Sequence, residues 1–377
     1  MTITITDEHE QLRQYLDRFL SARYDLEHSR DVVKNGAGWQ PEIWTAFADE
    51  LGILSATFSA DAGGDGGGAA EALTITESLG RALVVEPYVD TVVLAGTLLR
   101  ELAGEASNDL LRQIGAAQAI YAVGMLEQGS GHCFHDISTT ARSEDGGWVL
   151  DGAKAVVTSA PIATDILITA RTSGQRRDTT GISIFRIPMH EVPAGLGLHP
   201  MRTYDDRVAA DIVLDDVRLP ADALLGTAGA AWAALELAVD TATAAVCSEA
   251  VGCMRKLLDD TVTYSKQREQ FGRPIGSFQV LQHRMVDMYI HTEQASAAAE
   301  LAFSALGGPV AARTKAVSAA KVTVAQAARY VGQQAVQLHG GMGMTEELAV
   351  GHYFKRLTAV ESEFGTDEQH LVRYATS

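Results

Sequence analysis

Basic side chains are scarce in this 377-residue sequence: Lys and Arg number 30 against 48 Asp and Glu, a formal net charge of -18. A phosphate backbone would meet a repelling field unless cations were concentrated locally, and no basic run does that, so nucleic acid is not an expected partner. Cysteine is scarcer still. Cys133, Cys247 and Cys253 show neither metal-ligand spacing nor a disulfide framework, which points to a reducing, cytoplasmic setting. The first residues lack a basic stretch followed by an apolar run, so no signal peptide is expected. The apolar run AWAALELAV around Trp232 is broken by Glu236 and followed by Asp240. It is too short and too polar to suggest a membrane span. No HExxH, no GxxxxGK[ST] and no GxGxxG after a strand is present, and Glu127 to Gly131 (EQGSG) lacks the GxSxG spacing of a serine hydrolase. No metal is expected.

What is abundant is apolar surface, 46% of residues, ample for a large core. The pattern divides the chain into three regions. Residues 1–115 read as helical: Thr6 before Asp7 and Glu8 suits a helix start, and Leu12, Tyr15, Leu16 and Phe19 share one face. Ile43, Trp44, Phe47 and Leu51 form another such face. The glycine-rich SADAGGDGGGAA that follows cannot hold a helix. A helix near Glu71 to Leu79 should pack back on the first, and Tyr88 to Leu102 reads as a further apolar helix.

Residues 116–225 change period. WVLDG, DILITAR, GISIFRI and ADIVLDDVRL are short β-branched runs between turn residues, which predicts strands without long helices between them. A small antiparallel barrel or sandwich fits better than an α/β sheet. Residues 226–377 return to long helices: Leu235 to Tyr264, apolar on more than one face and so expected to be enclosed, Arg284 to Leu306, and Ala311 to Leu338. Short links between them predict a bundle.

Two segments suit a phosphate-bearing ligand. In KQREQFGRPIGSFQ, read as free of strands, Arg268, Phe271 and Gly272 precede a helix. Arginine can hold two phosphate oxygens through parallel charged hydrogen bonds. An interhelical turn carrying a surface arginine explains the same residues. In QLHGGMGM, three glycines permit close backbone approach and Gln337 and His339 offer neutral donors and acceptors. A helix end followed by a turn explains this equally. His283, His291, His352 and His370 read as structural. Asp240, Glu361 and Glu363 are possible proton acceptors, since a buried unpaired carboxylate gains proton affinity; solvated or salt-bridged carboxylates are commoner.

Taken together, TDEHEQL, AGGDGGG, WVLDGAK (Trp148 to Lys154), RTSG, YSKQREQFGRPIGSFQVLQHRMVDM and AVQLHGGMGMTEELAVGHYFKR resemble the acyl-CoA dehydrogenase family over essentially the whole chain. Within it the sequence is most similar to the small subunit of pimeloyl-CoA dehydrogenase and other two-component members. The resemblance implies an α+β fold: an N-terminal helical domain (1–115), a middle antiparallel β-domain (116–225) and a C-terminal four-helix bundle (226–377). It also implies FAD as cofactor, an acyl-CoA thioester as substrate and electron-transfer flavoprotein as electron acceptor. Arg268, Phe271, Gln337 and Gly341 match family positions that hold the FAD tail across a subunit interface, with Gln279 beside them. Thr158 matches a flavin contact.

Departures from the family pattern are equally specific. The usual Thr-Glu-Pro is Leu126-Glu127-Gln128, and Val156 stands where a tryptophan commonly lies against the flavin. The late Tyr-Glu-Gly-Thr, which carries the base, is Glu363-Phe364-Gly365-Thr366. One residue of helical shift rotates a side chain by roughly 100°. The alternative base position, on the first helix of the bundle, is Ala242, with Asp240 two residues away. These departures favour a subunit of a heteromeric complex that leaves the base to a sister acyl-CoA dehydrogenase chain. A homomeric enzyme with Glu363 or Asp240 as displaced base, and a subunit without redox activity, are the alternatives. Ala242, Ala244 and Ala245 either leave room for an acyl group or permit close helix packing.

Overall fold

The computed structural model describes residues 5–345 and 347–377. In chain order, helices α1 (Asp7–Arg23), α2 (Leu26–Asn35), α3 (Pro41–Asp49), α4 (Ala69–Arg81), α5 (Gly96–Leu102) and α6 (Ser107–Gly115) come first. Strands β1 (Tyr121–Gly124), β2 (Thr140–Glu144), β3 (Gly147–Thr158), β4 (Asp165–Arg171), β5 (Ile182–Pro188), β6 (Leu196–Arg202), β7 (Val208–Leu219) and β8 (Leu224–Leu225) follow. Then come helix α7 (Trp232–Gln267), the short strands β9 (Glu269–Gln270) and β10 (Arg273–Pro274), and helices α8 (Gln279–Ala305), α9 (Val310–His339), α10 (Val350–Ser362) and α11 (Asp367–Thr376). Helix, strand, helix is the order expected from the sequence periods.

By contacts the chain gathers into two compact units. One holds the described residues of Met1–Asp31, Gly68–Val84 and Thr243–Ser377; the other holds Val32–Gly67 and Val85–Ala242.

The second unit is built on one sheet of order β6-β7-β3-β2-β4-β5-β8. Most pairings are antiparallel, but β1 pairs β4 in parallel register, Tyr121 opposite Asp165, and Thr140 pairs Arg171 in parallel. The sheet is therefore mixed, a correction to the purely antiparallel expectation. The β2–β3 hairpin lies between β1 and β4 in sequence, and that long connection allows a parallel return. Every residue of β4 is buried. Its Ile166 and Ile168 share a core with Leu150, Phe185, Ile187, Ile212 and Val217, with Trp148 edge-on to Phe185 at 5.2 Å. The apolar stretch after Pro87 is not uniform either: Tyr88–Ala95 is π-helical and fully buried before α5 begins.

In the first unit α9 is central, packing against α8, α10 and α11. α4 returns onto α1, where His9 Nε2 meets Glu71 Oε1 at 3.0 Å and Arg13 Nη1 meets Glu77 Oε1 at 2.9 Å. α7 contains a window long and apolar enough to cross a membrane, yet 89% of that window is buried inside the protein, the pattern of an enclosed helix. α4 and α7 approach backbone to backbone. Cys253 Sγ donates to the Gly80 carbonyl at 3.1 Å and Ser248 Oγ to that of Leu73 at 2.9 Å. A Cβ added at Gly252 would lie 1.9 Å from the Glu77 carbonyl oxygen, and one at Gly80 2.0 Å from that of Glu249.

Because neither helix can yield without losing its neighbour, Gly252→Ala should lower the unfolding free energy by about 1–3 kcal/mol, the usual cost of overpacking. Gly307→Ala, which faces open space, should change it little. Denaturant titration of the two variants beside the parent checks this.

Candidate active site

In the first unit, the strand-free reading of residues 266–279 needs correction. α7 ends at Gln267, and β9 and β10 then form a hairpin with Gln270 opposite Arg273. Its two-residue loop is Phe271 (φ +54°) and Gly272 (φ +77°), the left-handed pair that a tight hairpin turn requires. The loop lifts Phe271 into solvent, 91% exposed. Arg273 lies over the Phe278 ring at 4.1 Å, and Phe278 meets Phe271 edge-on at 6.1 Å. Arg268, one residue past the helix, is exposed; its amide donates to Tyr264 O and its carbonyl accepts from Ile275 N, both at 2.8 Å.

The last turn of α7, just before this hairpin, meets the start of the glycine-rich segment. Tyr264 stacks on His339 with ring centres 4.3 Å apart, and its hydroxyl donates to the His339 carbonyl at 3.4 Å. His339 Nδ1 donates to the Ala335 carbonyl of its own helix at 2.8 Å, which fixes the ring against Tyr264. Arg268 follows Tyr264 by one helical turn, and Gly340 and Gly341 follow His339 directly. Arg268, Phe271, Gln337 and Gly341 thus belong to one end of the bundle, and Gln279 starts α8 from the same hairpin; all five are exposed. A Cβ at Gly340 or Gly341 would meet nothing within 4 Å, so the backbone there is open to a ligand. An exposed guanidinium, open glycine backbone and a protruding aromatic ring fit the pyrophosphate-bearing tail of a dinucleotide.

In the second unit, Leu126-Glu127-Gln128 has a structural centre that the sequence reading missed. Glu127 Oε1 accepts from Lys154 Nζ at 2.6 Å, from Thr139 Oγ1 at 2.7 Å and from Thr139 N at 3.0 Å. Oε2 accepts from the amide of Ser138 at 2.7 Å and from its hydroxyl. Burial alone would raise the Glu127 carboxyl, but the ammonium and hydroxyls beside it win and hold it at about 2. Burial pushes Lys154 down to about 8, against the pull of Glu127. Both are charged at neutral pH. A lysine within the apolar run VLDGAKAVV was the available signal, since a strand buries lysine only with a partner. Arg171 is likewise structural, donating to the carbonyls of Ile137, Thr180, His135, Arg176 and Asp178. Thr158, at the end of β3, donates its hydroxyl to Asp90 Oδ1 at 2.9 Å. Val156 is 48% exposed at φ +50° and gives no aromatic surface there.

The candidate bases lie apart in character. Asp240 is fully buried, as are Ala242, Ala244 and Ala245. Glu363 is not helical: α10 ends at Ser362, Glu363 is extended (φ -63°, ψ 128°), and Phe364 is left-handed at φ +58°. The helical rotation expected for a one-residue shift therefore does not describe this turn. Arg356, 3% exposed, grips Glu249 through Nε (2.8 Å) and Nη2 (2.9 Å) and reaches Glu363 Oε2 through Nη1 (2.7 Å). Lys321 donates to the carbonyls of Val360 (2.8 Å), Glu361 (3.2 Å) and Gly365 (2.7 Å). His370 Nε2 donates to that of Phe364 at 3.0 Å. Glu361 pairs outward with Arg329 at 2.7 Å.

Comparison with known proteins returns the description acyl-CoA dehydrogenase three times: N-terminal domain over residues 6–118, middle domain over 122–217 and C-terminal domain over 229–376. The chain is similar to the mitochondrial short-chain specific acyl-CoA dehydrogenase of Bos taurus, 27% identical, covering 98% of this chain and 90% of that one. Among solved structures it is similar to the Tcur3481–Tcur3483 steroid ACAD (27% identity, TM-score 0.87, covering 98% and 97%). It is also similar to the ChsE4–ChsE5 complex of Mycobacterium tuberculosis (25% identity, TM-score 0.88, covering 100% and 98%).

The Glu127 network makes a pH prediction. A carboxyl held at about 2 when folded, against about 4.3 unfolded, adds stability that is complete above the unfolded value and lost as pH falls toward 2. Glu127→Gln should flatten the acid limb of the stability–pH curve in that window, and Lys154→Met should lower stability by about 3–5 kcal/mol at neutral pH by stranding Glu127. Thermal unfolding across the pH series measures both.

Proposed function

The chain belongs to the acyl-CoA dehydrogenase family, an FAD-dependent oxidoreductase of acyl-CoA thioesters, and we propose that it forms trans-2-enoyl-CoA as copies of a single chain with Glu363 as displaced base. The observation that carries the cofactor part is the Tyr264–His339 contact, which assembles Arg268 and the Gly340–Gly341 backbone at one end of the bundle. There the guanidinium binds the FAD pyrophosphate beside the uncrowded Gly340–Gly341 backbone, and Phe271 and Gln337 cover what lies beside it. Thr158 faces the flavin ring. Bound FAD supplies the acceptor for the β-hydrogen. Glu363 takes the α-proton, and the fixed turn around it, held by Lys321 and His370, sets the direction of approach. Electron-transfer flavoprotein is the proposed acceptor of the electrons, and three free cysteines suit a cytoplasmic setting.

Relatives that carry single-enzyme names favour copies of one chain over the two-chain assembly expected from the sequence departures. A second reading has its own support: Phe364 occupies the family's late base position, Ala242 the other, and Glu363 is engaged by Arg356. In that reading a sister chain supplies the base, and this chain contributes the FAD tail site. Two of the similar solved structures are named as pairs of proteins, which supports this reading. Medium dicarboxylyl or steroid-derived thioesters are the proposed substrates on the strength of the resemblance alone.

Arg268→Ala should cost most of the bound FAD per chain, with Arg268→Lys intermediate because a point charge cannot form the paired bonds; retention in both would dismiss the tail site. Glu363→Gln should lower turnover by about 10²-fold or more with FAD still bound, whereas Asp240→Asn should lower it far less. Turnover surviving Glu363→Gln, or appearing only after co-expression with a second dehydrogenase chain, would move the base to that partner. Native mass, flavin absorbance and acyl-CoA-dependent dye reduction read these outcomes.

A further inference from the structure

A threonine hydroxyl has one proton and two lone pairs, and the structure shows where the Thr158 proton goes. Oγ1 donates to Asp90 Oδ1 at 2.9 Å, and the hydroxyl of Ser159 donates to Asp90 Oδ2. Asp90 is buried within the π-helical segment Tyr88–Ala95. A carboxylate only accepts, so a hydroxyl that turned away would leave a buried oxygen unpaired. The donors are fixed too: Ser159 is left-handed at φ +63°, and its amide donates to Val208 O at 2.9 Å.

The helix is anchored at the neighbouring residue as well. Thr91 Oγ1 accepts from Tyr121 N at 3.1 Å and donates to Tyr121 O at 3.0 Å. Consecutive side chains of an α-helix diverge by roughly 100°. The wider π turn reduces that step, and both Asp90 and Thr91 reach the sheet. Such turns are frequent where function demands an irregular placement.

We propose that Asp90 is a positioning residue that takes up the Thr158 proton and so presents Thr158 to a bound ligand as a hydrogen-bond acceptor only. The inference rests on the reading above that Thr158 faces the flavin ring. An oxidised flavin offers a bare ring nitrogen where the reduced ring carries an N–H. Acceptor-only Thr158 therefore favours the reduced form, whereas a donating Thr158 would favour the oxidised one. Asp90 adjusts the electron affinity of the cofactor without touching it.

The test is an anaerobic titration of the FAD-loaded protein against a reference dye, with bound flavin per chain and the apoprotein's thermal midpoint recorded for each variant. Thr158→Val should shift the reduced-to-oxidised ratio at fixed potential about tenfold toward oxidised, about 30 mV more negative for a two-electron couple. Asp90→Ala should shift it in the same direction, and Asp90→Asn, which keeps an acceptor oxygen, should stay within about twofold of the parent. Added to Thr158→Val, Asp90→Ala should have no further effect on the ratio. A shift of opposite sign in Thr158→Val overturns the proposal, and that sign decides even where Asp90→Ala fails to fold. An Asp90→Ala shift that persists undiminished without Thr158, or a variant that loses only thermal stability, overturns it as well. A parent chain that binds no FAD on reconstitution overturns the cofactor reading itself, before any variant is compared.

Discussion

A cation withdrawn from water has to be matched inside the protein, and four such cations set the loops of this chain. Lys154, Lys321, Arg356 and Arg171 are at most 6% exposed. Burial pushes the proton affinity of Lys154, Lys321 and Arg171 down, and each is answered by oxygens from residues that could not otherwise hold a fixed shape. Lys154 fixes the 126–139 loop through Glu127, Arg171 staples the segment after β4, and Lys321 and Arg356 shape the turn after α10. Buried pairs of this kind add little net stability over well-packed apolar residues, but removing one partner is expensive. Their contribution is placement: irregular segments are held to defined positions on regular ones.

That division explains what could be read in the sequence. The helical faces of α1, α3, α4 and α9 follow from apolar spacing, because burying one face is a local requirement that sequence displays directly. The strands of the middle region were legible for the same reason. The π-helix was not: Tyr88–Ala95 is buried on all sides, so no periodicity distinguishes it from an ordinary core helix. Nor was the β9–β10 hairpin, whose signal is a left-handed Phe271 before Gly272 in place of the usual Asn or Asp.

The site divides along the same line. Arg268 and the Gln337–Gly341 segment stood out by residue type, since arginine and clustered glycine suit anion binding. What brings them together, Tyr264 against His339, spans 75 residues and has no local signature. Polar partnerships at 27 residues (Lys154 with Glu127), 68 (Thr158 with Asp90) and 107 (Arg356 with Glu249) are equally silent. Only the misplaced residue shows, as a lysine in an apolar strand or an aspartate in an apolar helix.

The late turn carries the remaining chemical tension. If Glu363–Thr366 continued α10, a base one position early would point about 100° from the family address, and its displacement would be settled by helix geometry. The helix has already ended, so direction is set instead by the side chains that grip the turn. Lys321 and His370 hold its carbonyls, which fixes the backbone and leaves the Glu363 carboxylate to Arg356. Arg356 spends two of its donors on Glu249 and one on Glu363. The pairing with Glu249 is bidentate and buried, whereas Glu363 meets the guanidinium from a side chain still 21% exposed. Of the two carboxylates, Glu363 is therefore the one that can let go. The proton transfer proposed for Glu363 requires that release, and Glu249 would keep the guanidinium matched when Glu363 leaves.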